Sequence, residues 1–230
     1  MNRILSSLLL ALLIPCTPAW AEEAKPFVSS TDVDLTHYLP APPANDSAQT
    51  KLEIAEVLAF QAKRTPETAA AAAADAAENI WRFNEVMGPK FKAEKLPKFA
   101  AFFERVVETE GAVVDSAKNY WKRPRPHMLN SEIQPVVKRS SSGSWPSGHA
   151  TVGYLMATVL AEMVPEKRSA LFTRAAEYAE NRIVAGIHYR SDIQMGRVAA
   201  ALIAQKILSR DDFNAEFAPA KAELRSVLGL

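Results

Sequence analysis

The strongest constraint on the fold is a spacing of apolar residues at intervals of three and four that recurs along the chain. Three stretches show it: Phe99, Phe102, Phe103, Val106 and Val107; Val152, Leu155, Met156, Val159, Leu160 and Met163; and Met195, Val198, Ala199, Leu202 and Ile203. This spacing places the apolar side chains on one face of an α-helix. No run of four or more residues alternates with the period of two that a strand requires, and only eight glycines interrupt the chain. The sequence therefore predicts an all-α fold, a single compact multi-helix domain.

Weaker helix signals precede these stretches. Ile54, Val57 and Leu58 share one helical face, and Thr65-Pro66 offers an N-cap followed by proline at the first helical position. An alanine-rich helix is expected from there to near Gly88-Pro89.

None of the later helices is an uninterrupted apolar segment of membrane-spanning length. The polar residues that interrupt the best candidates are Glu162, Gln194, Arg197 and Gln205. We therefore expect no stable membrane insertion of the mature chain.

The first 21 residues are predicted to be a secretory signal peptide. Arg3 supplies a short positive region, residues 4–14 an apolar core, and Ala19-Trp20-Ala21 a small-x-small cleavage site. A membrane anchor is the weaker alternative, because the apolar run falls short of the roughly 20 residues that a spanning helix needs. A lipid anchor on Cys16 is disfavoured because Pro15 stands where a small residue is wanted.

Cleavage after Ala21 would place the mature chain in the periplasm or outside the cell. It would remove Cys16, the only cysteine, so no disulfide is expected. It would also remove Arg3 and take the formal net charge from +1 to 0. A chain without net charge has no overall field to attract nucleic acid, so no nucleic-acid partner is expected.

Residues 22–50 are rich in Pro, Asp, Ser and Thr and show no sustained period. This composition is typical of an extended arm that wraps the domain, and equally of a disordered leader. We see no internal repeat and no sign of a second domain. The predicted organisation is a signal peptide over residues 1–21, a Pro-rich N-terminal arm over 22–50, and an all-α domain over 51–230.

The first of three motifs is Lys118, followed seven residues later by Arg125. Two prolines flank Arg125 and prevent a helix from continuing through it. Arg125 is therefore expected in a stiff, extended segment, which holds its guanidinium ready for paired contacts with an oxyanion. Lys122 and Arg123, which lie between the two, are interpreted as solvated surface charges.

The second motif spans residues 145–150, reads Trp-Pro-Ser-Gly-His-Ala, and leads directly into a predicted helix. The amides of Ser147 and Gly148 are expected to point out of the helix N-terminus, where an anion binds well. The alternative for Ser147 is a simple N-cap. His149 would lie on the first helical turn beside the anion, where it could act as a general acid to a leaving oxygen.

The third motif consists of Arg182, His188 and Asp192. On a helix Asp192 lies one turn from His188 and can accept the proton of one ring nitrogen. The other nitrogen is then unprotonated, which favours a histidine nucleophile oriented by a carboxylate. Gly186 would let Arg182 turn back toward the same anion.

Taken in order, K-x6-R-P, P-S-G-H and R-x5-H-x3-D resemble the signature of the phosphatidic acid phosphatase type 2 superfamily, and within it the bacterial class A nonspecific acid phosphatases. The resemblance implies that the equivalent of His188 becomes phosphorylated and that Asp192 orients it. It implies a phosphate site made of Lys118, Arg125, Ser147, Gly148 and Arg182, together with His149.

Three positions depart from the family pattern. Asn181 replaces serine, Trp145 replaces tyrosine and Ala150 replaces threonine. Asn181 retains a group able to hydrogen-bond an oxyanion, whereas the other two changes remove a hydroxyl and bear on substrate preference.

The resemblance thus implies a periplasmic or secreted acid phosphatase that acts on small phosphate monoesters through a phosphohistidine. No metal or other cofactor is expected, because His37 and His127 lack partners at ligand spacing. Two alternatives stay open: a non-catalytic binder of phosphate or phospholipid head groups, and a vanadate-dependent haloperoxidase, which the short chain disfavours. A homodimer through the helix of residues 99–107 also stays open.

Overall fold

The computed structural model describes residues 24–230 of the chain. The predicted signal peptide, with Cys16, lies outside the described residues. Within them the chain forms helices and no strand, which confirms the all-α prediction. The helices are α1 (Leu35–Tyr38), α2 (Ala48–Lys63), α3 (Pro66–Ala74), α4 (Asn84–Met87), α5 (Pro97–Trp121), α6 (Pro126–Leu129), α7 (Gly148–Met163), α8 (Arg168–Val184), α9 (Arg190–Ile207) and α10 (Asp211–Leu228), with short 3-10 turns at Ile80–Phe83, Ala93–Lys95 and Pro165–Lys167.

Helix α7 lies at the centre of the fold, and the apolar stripe predicted for it is fully buried. Two glycines allow its neighbours to approach closely. At Gly153 a Cβ would lie 2.7 Å from Cδ1 of Tyr178 in α8, and at Gly196 of α9 a Cβ would lie 2.7 Å from Cβ of Ala150. Ala150, one of the departures from the family pattern, therefore fits a helix crossing with no room for a larger side chain.

Four of the five residues of the stripe predicted for α5 are buried and form the aromatic half of the core, and Val107 is half-buried beside them. Phe99, Phe102, Phe103 and Val106 are inaccessible or nearly so. Phe102 meets Phe213 of α10 edge to face, with ring centroids 5.2 Å apart. Such aromatic pairs add to the stability that burial alone provides.

Helix α9 is rotated by about one residue relative to its prediction. Val198 is 40% exposed, and the buried face carries four small residues and two isoleucines. Those residues are Gly196, Ala199, Ala200, Ala204, Ile203 and Ile207. The close crossing with α7 explains the rotation, because only small side chains fit between the two helices.

The alanine-rich helix ends earlier than predicted. Thr65 caps α3 and Pro66 opens it, as expected, but α3 stops at Ala74. The buried carboxylate of Asp75 accepts hydrogen bonds from Arg82 Nε at 2.9 Å, Arg174 Nη2 at 2.5 Å and Asn181 Nδ2 at 2.7 Å. These long-range contacts outweigh the helix propensity of the alanines and turn the chain toward α8.

The arm packs along α5. The amide of Phe27 donates to Thr109 Oγ1 at 2.9 Å, and that of Ser30 to the carbonyl of Ala112 at 3.0 Å. Phe27 and Leu35 are buried against the aromatic core. No helix between residues 24 and 230 is long and apolar enough to cross a membrane.

Candidate active site

A cavity of about 290 Å³ opens where the N-terminus of α7 faces the loop between α8 and α9. It is lined by Ala76, Glu78, Lys118, Arg125, Val137, Lys138, Ser140, Ser142, Gly148, His149, Arg182, Ile187 and His188. The structure thus brings six of the eight predicted site residues to one cavity. The other two, Ser147 and Asp192, are buried and do not line it.

His188 presents one ring nitrogen to the cavity side of the site and the other to the protein interior. Its Nδ1 lies 3.0 Å from Oδ2 of Asp192, and its Nε2 lies 3.0 Å from Nη1 of Arg125. A carboxylate can only accept and a guanidinium can only donate, so these partners assign the ring proton to Nδ1 and leave Nε2 unprotonated, with its lone pair accepting from Arg125. Burial, and then the charges of Arg125 and Arg182, lower the pKa of His188 well below its ordinary value. The imidazole is therefore neutral.

Four donors surround the carboxylate of Asp192, which is completely buried. Oδ2 accepts from His188 and from the amide of Tyr189 at 3.0 Å. Oδ1 accepts from Arg123 Nη1 at 2.6 Å and from the hydroxyl of Ser144 at 3.4 Å. Burial raises the pKa of Asp192 to about 7, and the Arg123 guanidinium opposes that rise. Because all four neighbours donate, it is the ionised carboxylate of Asp192 that fits this site and orients His188 as an acceptor.

The prediction that Arg123 is a solvated surface charge is wrong. Arg123 is only 3% exposed, and its Nη2 lies 2.9 Å from Oε2 of Glu53 in α2. Glu53 also accepts the amide of Ser191 at 2.9 Å. Arg123 therefore links α2 to the start of α9. It also holds the carboxylate oxygen of Asp192 that does not contact His188. Lys122 is exposed, as expected.

Two buried arginines, Arg125 and Arg182, line the cavity. Backbone carbonyls hold both: Arg125 Nε donates to Ser142 at 3.0 Å, and Arg182 Nη1 donates to Asp75 at 2.9 Å. Nε of Arg182 is buried and has no hydrogen-bond partner among residues 24–230. An unpaired, buried guanidinium donor beside a cavity is suited to an oxyanion ligand.

The N-terminus of α7 differs from its prediction at Ser147. The Ser147 amide donates to the backbone carbonyl of Asp192 at 3.1 Å, so it does not point at the cavity. The side chain of Ser147 caps the helix by accepting from the amide of Ala150 at 3.3 Å. The amides of Gly148 and His149 have no acceptor within the described part of the chain, so these two are free for an anion.

His149 lies on the first turn of α7 with an acceptor beside each ring nitrogen. Nδ1 is 2.8 Å from Oε1 of Glu78, and Nε2 is 3.2 Å from the carbonyl of Ala76. When both contacts are made, both nitrogens carry protons, which is the imidazolium form. Burial acts to raise the pKa of Glu78, but the hydrogen bond and charge of His149 outweigh it and lower that pKa below its ordinary value.

Lys118 lies in the last turn of α5, beside the first residue of α7. A Cβ at Gly148 would lie 2.8 Å from Nζ of Lys118 and 2.5 Å from Oε1 of Glu110. A side chain at position 148 would therefore displace the carboxylate of Glu110 and the ammonium of Lys118 from their places beside the α7 N-terminus. Glu110 was not predicted, although its spacing from Val106, Val113 and Val114 puts it on the buried face of α5.

Two of the departures from the family pattern face away from the cavity. Asn181 donates to Asp75, so the expectation that it hydrogen-bonds an oxyanion is not supported. Trp145 is buried against Trp121, with ring centroids 6.4 Å apart. No group of three or more His, Cys, Asp or Glu side chains within residues 24–230 is placed to hold a metal ion.

The chain is similar over most of its length to bacterial acid phosphatases. It is 32% identical to the non-specific acid phosphatase of Salmonella typhimurium over 214 residues, which cover 89% of this chain and 86% of the relative. It is 30% identical to the non-specific acid phosphatase of Salmonella typhi with the same coverage.

Among solved structures, a bacterial vanadium-dependent iodoperoxidase aligns with a TM-score of 0.53 and 20% identity. The alignment covers 73% of this chain and 52% of that one, and it concerns the fold alone. Residues 106–213, which contain all three motifs, match the PAP2 superfamily. The chain therefore belongs to the PAP2 superfamily, and the non-specific acid phosphatases are its relatives within it.

Proposed function

We propose that this protein hydrolyses phosphate monoesters through a covalent phosphohistidine at His188, without a metal ion. The observation that carries the proposal is the state of His188: a neutral, buried imidazole whose Nε2 lone pair lies next to Arg125 at the cavity. Such an imidazole, oriented by a carboxylate on its other nitrogen, can act as the nucleophile of covalent catalysis.

The phosphate would bind between the two arginines, Lys118 and the free amides of α7. Its oxygens would draw the Arg125 guanidinium off Nε2 and occupy the unpaired Nε of Arg182. Preorganised donors aimed at a developing charge each contribute about 3–4 kcal/mol to transition-state stabilisation. These cationic groups supply the charge neutralisation that Mg²⁺ supplies in kinases.

In the first step Nε2 of His188 forms a bond to phosphorus while the bond from phosphorus to the ester oxygen breaks. His149, in its imidazolium form, gives a proton to the leaving oxygen and releases the alcohol. In the second step water attacks the phosphohistidine, neutral His149 takes the water's proton, and the nitrogen–phosphorus bond breaks. Inorganic phosphate leaves and both histidines return to their starting states.

We also propose that the protein works in the periplasm or outside the cell, on the basis of the signal peptide expected in residues 1–21. Protein recovered from the periplasmic or extracellular fraction should begin at Glu22 when its N-terminal sequence is read. A cytoplasmic protein that retains residue 1 would contradict this part of the proposal.

The function is tested by hydrolysis of p-nitrophenyl phosphate between about pH 4 and pH 8, with and without a chelator. We expect chelator-insensitive turnover, and a loss on the order of 10⁵-fold in His188→Ala, because the nucleophile is gone. His37→Ala is the matched control, since His37 is exposed on α1 and should leave the rate unchanged. Near-normal turnover by His188→Ala would refute the nucleophile, and inhibition by the chelator would refute metal independence.

A further inference from the structure

Glu110 is a buried carboxyl that the proposed reaction does not use. It is 5% exposed, and its Oε1 has no hydrogen-bond partner within the described part of the chain. Oε1 lies 2.5 Å from the point where a Cβ of Gly148 would stand, and Nζ of Lys118 lies 2.8 Å from the same point. Glu110 and Lys118 therefore flank the residue that offers its amide at the N-terminus of α7.

Several charges act on this carboxyl. Burial, the largest effect, raises the pKa of Glu110 to about 8. The ammonium of Lys118 opposes the rise, and the negative charges of Glu78, Asp115 and Glu108 add to it. The carboxyl is thus protonated through the acid and neutral range and ionises only in alkaline solution.

We propose that Glu110 is a positioning residue that leaves Lys118 and the Gly148 amide available to a phosphate only while its own carboxyl is neutral. The proposal rests on the proposed function, because it takes the cavity to be a phosphate site. Lys118 already has one carboxylate partner, since its Nζ lies 3.4 Å from Oδ1 of the exposed Asp115. A neutral Glu110 adds no second, buried charge in competition for the ammonium. An ionised Glu110 attracts the ammonium of Lys118. Its negative charge, next to Gly148, also repels a phosphate bound at the Gly148 amide.

The pH dependence has a definite sign. Phosphate binding and ionisation of Glu110 oppose each other, so binding is unaffected well below pH 8 and weakens above it. Linkage of one proton limits the loss to about tenfold in affinity per pH unit. Other groups that titrate, including the phosphate itself, act alike in the wild type and in a Glu110 variant. The ratio of the two affinities therefore isolates Glu110.

The test is calorimetric binding of inorganic phosphate at pH 6 and pH 9 to the wild type, Glu110→Gln and Glu104→Gln. Glu104 is exposed on the same helix and serves as the matched control. We expect the wild type and Glu110→Gln to agree within about threefold at pH 6, and Glu110→Gln to bind about tenfold more tightly at pH 9. Glu104→Gln should follow the wild type at both values. An affinity ratio that is the same at both pH values, or loss of phosphate binding by Glu110→Gln at pH 6, would overturn the inference.

Should Glu110→Gln fail to fold, a second measurement on the wild type decides. In protein labelled with ¹³C at glutamate, one carboxyl carbon should titrate near pH 8 and move to higher pH when phosphate is added. Titration of every glutamate well below that range would overturn the inference.

Hydrolysis of p-nitrophenyl phosphate, measured in parallel, distinguishes failure of this inference from failure of the proposed function. A wild type that neither hydrolyses the ester nor binds phosphate would refute the proposed function, and this inference with it.

Discussion

Each of the two histidines that line the cavity pairs with a carboxylate, and the two pairs look alike but differ in burial and in their other contacts. His188 meets Asp192 at 3.0 Å, and His149 meets Glu78 at 2.8 Å. The side chains of the first pair are 1% and 0% exposed, whereas those of the second are 22% and 37% exposed. A carboxylate beside an imidazole therefore does not by itself fix the role of the histidine.

The difference lies in burial and in the partner of the second ring nitrogen. Nε2 of His188 faces a guanidinium that can only donate, in a site that disfavours a charged ring. Nε2 of His149 faces a carbonyl that can only accept. His188 is thereby a neutral ring with an unprotonated Nε2, and His149 has an acceptor beside each ring nitrogen, as a nucleophile and a general acid require.

Neutralising the carboxylate of the buried pair should have the larger effect. Asp192→Asn removes the acceptor that keeps the proton on Nδ1 of His188, so Nε2 loses its lone pair in part of the population. We expect kcat for p-nitrophenyl phosphate to fall about 10³–10⁴-fold, the scale seen when the orienting carboxylate of a catalytic histidine is neutralised. KM should change little, because Asp192 does not line the cavity.

Asp46→Asn is the control for this change, since Asp46 is exposed in the N-terminal arm just before α2 and should leave kcat unaltered. A kcat for Asp192→Asn within tenfold of the wild type would show that the orientation of His188 does not depend on Asp192.

Removing the acid should matter most for esters with poor leaving groups. His149→Ala should lower kcat about 10²–10³-fold for an alkyl phosphate, and clearly less for p-nitrophenyl phosphate, whose leaving group needs no proton. The measurement is the ratio of the two losses under steady-state conditions. Equal losses for both esters would assign His149 a role in binding and remove it as the acid.

Neutralising the carboxylate of the open pair should have the smallest effect. Glu78→Gln keeps the shape of the side chain but removes the charge that pairs with Nδ1 of His149 at 2.8 Å, so the proton donor is held less firmly. We expect kcat for an alkyl phosphate to fall about tenfold, and less for p-nitrophenyl phosphate, whose leaving group needs no proton. Steady-state kinetics with both esters test this, and equal losses for the two would argue against a role of Glu78 that acts through His149.

The sequence alone predicted the fold and the site correctly where residues a few positions apart determine the geometry. His188 and Asp192 are four residues apart and meet as predicted, and the turn before α7 places Gly148 and His149 at a helix N-terminus. The apolar stripes of α5 and α7 likewise follow from helical periodicity alone.

The remaining features depend on contacts between distant segments. Glu78 reaches His149 only because Asp75 ends α3, and Asp75 does so through Arg174, which lies 99 residues away. Arg123 is buried because Glu53, 70 residues earlier, pairs with it. One feature of the sequence could have predicted this burial. Arg123 stands two residues before Arg125 in an extended segment, and alternate residues of such a segment point to the same side.

The central claim is that the neutral imidazole of His188 takes the phosphoryl group. Wild-type protein mixed rapidly with p-nitrophenyl phosphate, quenched in alkali and digested, should yield a peptide that carries one phosphate on His188 by mass spectrometry. Phosphate on another residue, or turnover with no phosphate on any peptide that contains His188, would contradict the account.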